Sequence, residues 1–173
     1  MSQPTQPVNV RKYLERQLID VFQTMLSKQA VPVETHNAPN HCEHVTGSVG
    51  FAGETVNGAV YLHMTSSFAA NVAAAMLGLP PEELTAETEI NDVIGEVTNM
   101  LAGGLKSEFC DAGSTCAVSI PAIIRGTSFV VEAMPDVECI RLKFDCQGEN
   151  VMVEVHVKHK QPIHSYAHQN SKR

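Results

Sequence analysis

Apolar residues along this chain switch between helical spacing and strict alternation, and that rhythm predicts its elements. From about residue 10 to 29, Leu14, Leu18, Val21 and Met25 recur at helical intervals, predicting an amphipathic first helix. Residues 33–40 read as a turn-rich passage, with Pro32 and Pro39 as breakers. Residues 45–51 and 56–64 alternate as strands do, joined through Gly53-Glu54. In the second of these, Val56, Gly58, Val60, Leu62 and Met64 share one face. Ser66 and Ser67 are candidate caps for an alanine-rich helix over 68–77, ended by Gly78 with Pro80-Pro81 beyond. Thr85 is the candidate cap of a long helix to about residue 109, with Gly113 at its exit.

The remainder is strand-like. Residues 116–124 are broken by Pro121, which suits an edge or bulged strand, and 127–134 form the next expected strand. Ile140, Leu142 and Phe144 alternate with Arg141, Lys143 and Asp145. After a turn at Gln147-Gly148-Glu149, Val151, Val153, Val155 and Val157 alternate with Met152, Glu154, His156 and Lys158. That pair is the clearest hairpin signal in the chain. The order predicts an α+β fold, a mostly antiparallel β-sheet with about three helices packed on one face. The expected organisation is a flexible tail over 1–8, one domain over 9–160 and a polar C-terminal tail over 161–173.

Composition narrows the function. With 173 residues, 43% hydrophobic and 18% charged, the chain suits one soluble domain with a real core. A net charge of -7 and a pI near 5.5 supply no basic footprint for nucleic acid or anionic lipid. The polar start lacks the order of a secretory signal, and no apolar run approaches the ~20 residues of a membrane span. Five cysteines without C-x-x-C spacing are expected to be reduced thiols, which points to the cytoplasm.

The candidate chemistry lies on the long helix. At roughly 100° per residue, Asp92, Glu96, Asn99 and Gly103 fall within an arc of about 60°. Ile90, Ile94, Val97, Leu101 and Leu105 take the opposite side and face the core. Glu96 and Asn99 are thus neighbours one turn apart, expected to point at solvent or a partner. A carboxylate beside a carboxamide can bind a cation and orient a water molecule together. Such a pair is also what an ordinary solvated helix face carries. Against that stand Gly103 and Gly104, each costing a helix roughly 1 kcal/mol, whose missing side chains suggest close approach by another chain segment.

Asp92-x-x-x-Glu96-x-x-Asn99, followed by Pro121 one residue off the usual spacing, resembles the signature of the CheC/CheX/FliY chemotaxis phosphatases. The stretch Ile94-Gly95-Glu96-Val97-Thr98-Asn99-Met100-Leu101-Ala102-Gly103 carries most of that resemblance, which extends over roughly residues 10–158. CheC-like members have two Glu/Asn sites. Here Leu18 stands where a second Asn would be needed, and Phe68 precedes Asn71 where Glu should be, so the single site resembles the CheX branch. The resemblance implies hydrolysis of an aspartyl phosphate on a CheY-type receiver domain, with Asn99 orienting water and Glu96 pairing with the receiver's lysine. Asp92, Gly95, Gly103 and Lys106 on the same helix are expected to contact that partner. The divalent metal, Mg, is expected from the receiver, with no cofactor or metal bound by this chain. The branch also implies a possible homodimer, which an open edge of the C-terminal strands could build.

Three other readings compete. His41-Cys42-Glu43-His44, with His156 and His159 further on, offers metal ligands, but one short cluster without a second ligand pair is a weak zinc signal. Ser119 and Cys110 could serve a nucleophilic hydrolase, yet no nucleophile elbow accompanies them. A non-catalytic receiver-binding or flagellar-switch-like adaptor of the same fold would not require both Glu96 and Asn99.

Overall fold

The first two helices begin on residues suited to the task, and the third does not. The computed structural model describes residues 8–35, 42–84 and 86–160. Helix α1, Val10–Leu26, starts at Asn9, whose side chain accepts from the Lys12 amide at 3.0 Å. Helix α2, Ser66–Leu77, is capped by Thr65, not by the expected Ser66 or Ser67: Thr65 Oγ1 accepts from Phe68 N at 3.2 Å. Gly78 ends it at φ +66°, a backbone region where a Cβ is penalised. Helix α3, Glu87–Asp111, begins after Ala86, which offers no side-chain cap; Thr85 lies outside the described residues. The residues of both expected tails, apart from Val8, and His41 also lie outside them.

Among the described residues seven strands form one antiparallel sheet: β1 (Val31–Val33), β2 (His44–Gly53), β3 (Val56–Thr65), β4 (Cys116–Val118), β5 (Ala122–Gly126), β6 (Glu138–Cys146) and β7 (Glu149–His159). Their order is β1-β6-β7-β3-β2-β4, with β5 also paired to β2. The β6–β7 hairpin turns through Gln147 and Gly148 at φ +60° and +87°, both positive as a two-residue hairpin turn of the right twist demands. Alternation sends Val45, Val49, Val60, Leu62, Val153, Val155 and Phe144 into the core beneath the helices. Leu14, Leu18, Phe22, Phe68, Ile94, Val97, Leu101 and Leu105 meet them from above. Among the described residues no helix is long and apolar enough to cross a membrane.

One expectation is corrected and two are refined. Strand β1 precedes the expected turn-rich passage and shares only Val33 with it, residues 36–40 of that passage lying outside the described residues. Its Pro32 lies opposite Phe144, and a rim strand tolerates a proline because its outer side has no ladder to break. Residues 127–134 form no strand and belong to a loop leading to β6. The segment broken by Pro121 is two strands, β4 and β5, laid end to end along β2. Where the ladder breaks, Ser119 Oγ accepts from Gly50 N at 2.9 Å and contributes its own proton to the Ile120 carbonyl at 2.9 Å. Ser119 is therefore a backbone patch, with no histidine among its hydrogen-bond partners.

The sheet face away from the helices holds a polar network. Glu154, almost fully buried, takes the Arg141 guanidinium at 3.0 and 3.1 Å. Burial pushes the Glu154 carboxyl up, but hydrogen bonds from Arg141, His156 and Cys139 outweigh it and hold the group below its ordinary value. Nearby His63 is pushed down to about 4, mainly by burial, with Glu154 opposing the fall. In the fold His63 is neutral until about pH 4, whereas the unfolded chain takes that proton near pH 6.5. Stability from this group is complete above about pH 6.5 and is lost as pH falls through that window. Between about pH 7.5 and 5, urea unfolding should lose about 2 kcal/mol through His63, so the pH slope should be shallower in His63→Gln by that amount. Equal slopes in the two proteins would contradict it.

Candidate functional site on helix α3

Helix α3 is fastened at successive turns. Near its start Asn91 Oδ1 accepts from Arg125 of β5 at 2.7 and 3.1 Å. One turn on, Gly95 is buried, and a Cβ there would lie 3.3 Å from Pro121 Cβ. The third fastening is Thr98, wholly buried, whose Oγ1 donates to the Ile94 carbonyl at 2.7 Å. Thr98 sits over Gly47 of β2 so closely that a Cβ on Gly47 would overlap Thr98 Oγ1. Last, Gln17 of α1 donates from Nε2 to the Met100 carbonyl at 2.9 Å, and Gln17 and Tyr13 fill the space that a side chain on Gly104 would need.

Between these fastenings the helix turns Glu96 and Asp92 fully outward, while Asn99 and Lys106 are partly buried. Asn99, expected to point at solvent or a partner, is sheltered in part. Glu96 and Asn99, three residues apart on a helix, have Cβ atoms about 5–6 Å apart. Beside them Gly103 is open: nothing lies within 4 Å of where its Cβ would be. The close approach foreseen for both glycines thus divides. Gly104 receives the chain's own α1, and Gly103 leaves free surface next to the pair. Gly95, expected to meet a partner, is occupied by Pro121 from within.

What this face can do follows from its groups. Glu96 supplies negative charge in solvent, and the Asn99 carboxamide supplies one acceptor and two donors. The cluster of three His, Cys, Asp or Glu side chains found among the described residues, Cys139, Glu154 and His156, does not include Asp92 or Glu96. A second pair is not formed on the other helices: Leu18 and Phe68, at the corresponding positions, are core residues. The closeness of Pro121 to Gly95 joins residues far apart in the sequence, so no local pattern shows it.

A three-helix layer on one face of an antiparallel sheet, with an acid–amide pair presented by the longest helix, makes this an α+β domain. The chain belongs to the CheX family: the family described as "Chemotaxis phosphatase CheX" matches residues 45–145. Among solved structures, the chemotaxis protein CheX from Vibrio vulnificus superposes with a TM-score of 0.72 at 23% identity, covering 87% of this chain and 97% of that one. A CheX from Desulfovibrio desulfuricans gives 0.71 at 24% identity, covering 87% and 100%. The CheX of a CheX–CheY–BeF3–Mg2+ complex from Borrelia burgdorferi gives 0.70 at 18% identity, covering 88% and 99%. No curated protein matches the sequence.

Proposed function

We propose that this protein dephosphorylates a CheY-type receiver domain, with Asn99 orienting the attacking water and Glu96 pairing with the receiver's lysine. The observation that carries the reading is a firmly fastened helix presenting Glu96 and Asn99 beside the open surface at Gly103. Family membership supports it, as does the partner in the Borrelia structure, a CheX in complex with CheY.

An aspartyl phosphate is a mixed anhydride and already activated, so the bond chemistry needs little help. What the reaction needs is a water held in line with phosphorus and a receiver held still. The Asn99 carbonyl accepts from that water and turns an oxygen lone pair toward phosphorus. Water's oxygen bonds to phosphorus as the bond from phosphorus to the carboxyl oxygen breaks, leaving the receiver's carboxylate and inorganic phosphate, which keeps the water's protons. Glu96, exposed and acidic, anchors the docked helix through a lysine, and Asp92 and Lys106 extend the contact along the same face. The metal that balances phosphoryl charge belongs to the receiver.

The decisive experiment follows decay of a phosphorylated receiver panel at substoichiometric amounts of this protein. Multiple turnovers are expected on at least one receiver, and Glu96→Ala should raise the half-saturating receiver concentration about tenfold or more, as loss of a docking charge pair does. Binding without accelerated decay across the panel would instead make the protein an adaptor.

A further inference from the structure

On the sheet face away from α3, four metal-binding side chains from three adjacent strands converge. Cys139 and His156 are direct cross-strand neighbours on β6 and β7, and Glu154 stands two residues before His156. Their donor atoms all lie within 4.8 Å of one another. Glu154 Oε1 is 2.6 Å from His156 Nε2 and 3.3 Å from Cys139 Sγ. From β3, His63 brings Nε2 to 3.9 Å from Glu154 Oε2. That nitrogen is buried and has no hydrogen-bond partner, while Nδ1 of the same ring is held by Thr46 Oγ1 at 2.9 Å.

We propose that Cys139, Glu154, His156 and His63 form a binding site for a zinc-class divalent transition-metal ion. A thiolate, two imidazoles and one carboxylate make a borderline-soft donor set, which suits zinc; magnesium and calcium prefer oxygen throughout. Around a tetrahedral ion with bonds of ~2.0–2.3 Å, neighbouring donors stand about 3.3–3.7 Å apart. The Cys139–Glu154 spacing already fits. The His156–Glu154 hydrogen bond, now 2.6 Å, has to open by about 1 Å, and His63, outside the trio that already lies within 4.8 Å, has to move in to complete the set. Thr46 on the far nitrogen fixes the His63 ring, the support that ligating histidines ordinarily receive.

The competitor is Arg141, which neutralises Glu154 in the metal-free fold. Its side chain is 49% exposed, so it can turn to solvent when a dication takes over the carboxylate. Binding removes the Cys139 thiol proton to buffer and leaves both histidines neutral. The site departs from the expectation that this chain carries no metal ligands. It also stands apart from Glu96 and Asn99, on the opposite face of the sheet.

Cobalt(II) tests the proposal, because thiolate ligation to it produces a near-ultraviolet charge-transfer band that histidine-only binding does not. The purified full chain titrated with cobalt should develop that band, and zinc should bleach it at one equivalent. Cys139→Ser, a small change at a partly exposed residue, should abolish the band and weaken zinc binding more than about 100-fold by calorimetry. Cys42→Ser is the control, since Cys42 Sγ lies 3.8 Å from His44 Nε2, and it should retain the band. Arg141→Ala should bind zinc more tightly than wild type. The proposal is overturned if wild type shows no band, if Cys139→Ser keeps it, if Cys42→Ser loses it, or if Arg141→Ala weakens binding.

Discussion

Replacing Asn99 with alanine is expected to slow receiver dephosphorylation by about 10²–10³, the effect of removing one positioned polar group, worth about 2.7–4 kcal/mol. The loss should fall on turnover more than on half-saturation, because the carboxamide acts on water rather than holding the receiver. Folding should survive, since Asn99 is only partly buried, with a stability change within about 1 kcal/mol. Glu96→Ala should show the opposite division, with affinity affected first. Phospho-receiver decay over a range of receiver concentrations separates the two. If Asn99→Ala turned over at the wild-type rate, another group would have to hold the water.

The second large effect is structural and lies beneath the site. A methyl group on Gly47 would overlap Thr98 Oγ1 and stand 3.2 Å from the Ile94 carbonyl. Neither can step aside cheaply, because they are hydrogen-bonded to each other within α3. Gly47→Ala should therefore lift the turn between Ile94 and Thr98 off the sheet and cost about 2–3 kcal/mol, as overpacked cores do. Adding Thr98→Ala should recover part of the loss, since it removes the oxygen but not the Cβ. Gly104→Ala makes an instructive contrast: its new methyl meets the flexible side chains of Gln17 and Tyr13, whose retreat gives up the Gln17–Met100 bond but moves no backbone. Urea midpoints should fall sharply for position 47 and by less than about 1 kcal/mol for position 104. Matching midpoints would show that the sheet yields where it is described as rigid.

Much of this architecture was legible in the chain because the signals are local. The 140–157 alternation predicts β6 and β7, and the Gln147-Gly148 turn forms where its composition demands it. Periodicity on α3 correctly separates Ile94, Val97, Leu101 and Leu105 from Glu96. The failures share a cause in that they depend on distant partners. Val31–Val33 becomes a strand because β6 offers it a ladder, which no local pattern reveals. The apolar residues Val130 and Met134 read as strand yet stay exposed in a loop. Pro121 matters through contact with Gly95, twenty-six positions earlier, and Arg125 through Asn91. The Cys139–Glu154–His156–His63 cluster is hidden in the sequence for the same reason: the neighbours of His156 come from β6 and β3 as well as from its own strand.

Pro32 on β1 and Pro121 between β4 and β5 interrupt the two outermost borders of the sheet. A border that lacks a regular row of amide donors is a poor template for a foreign strand. Concentrated solutions should accordingly resist fibre formation, and swapping either imino acid for threonine would hand a stray β-segment the docking rail it now lacks.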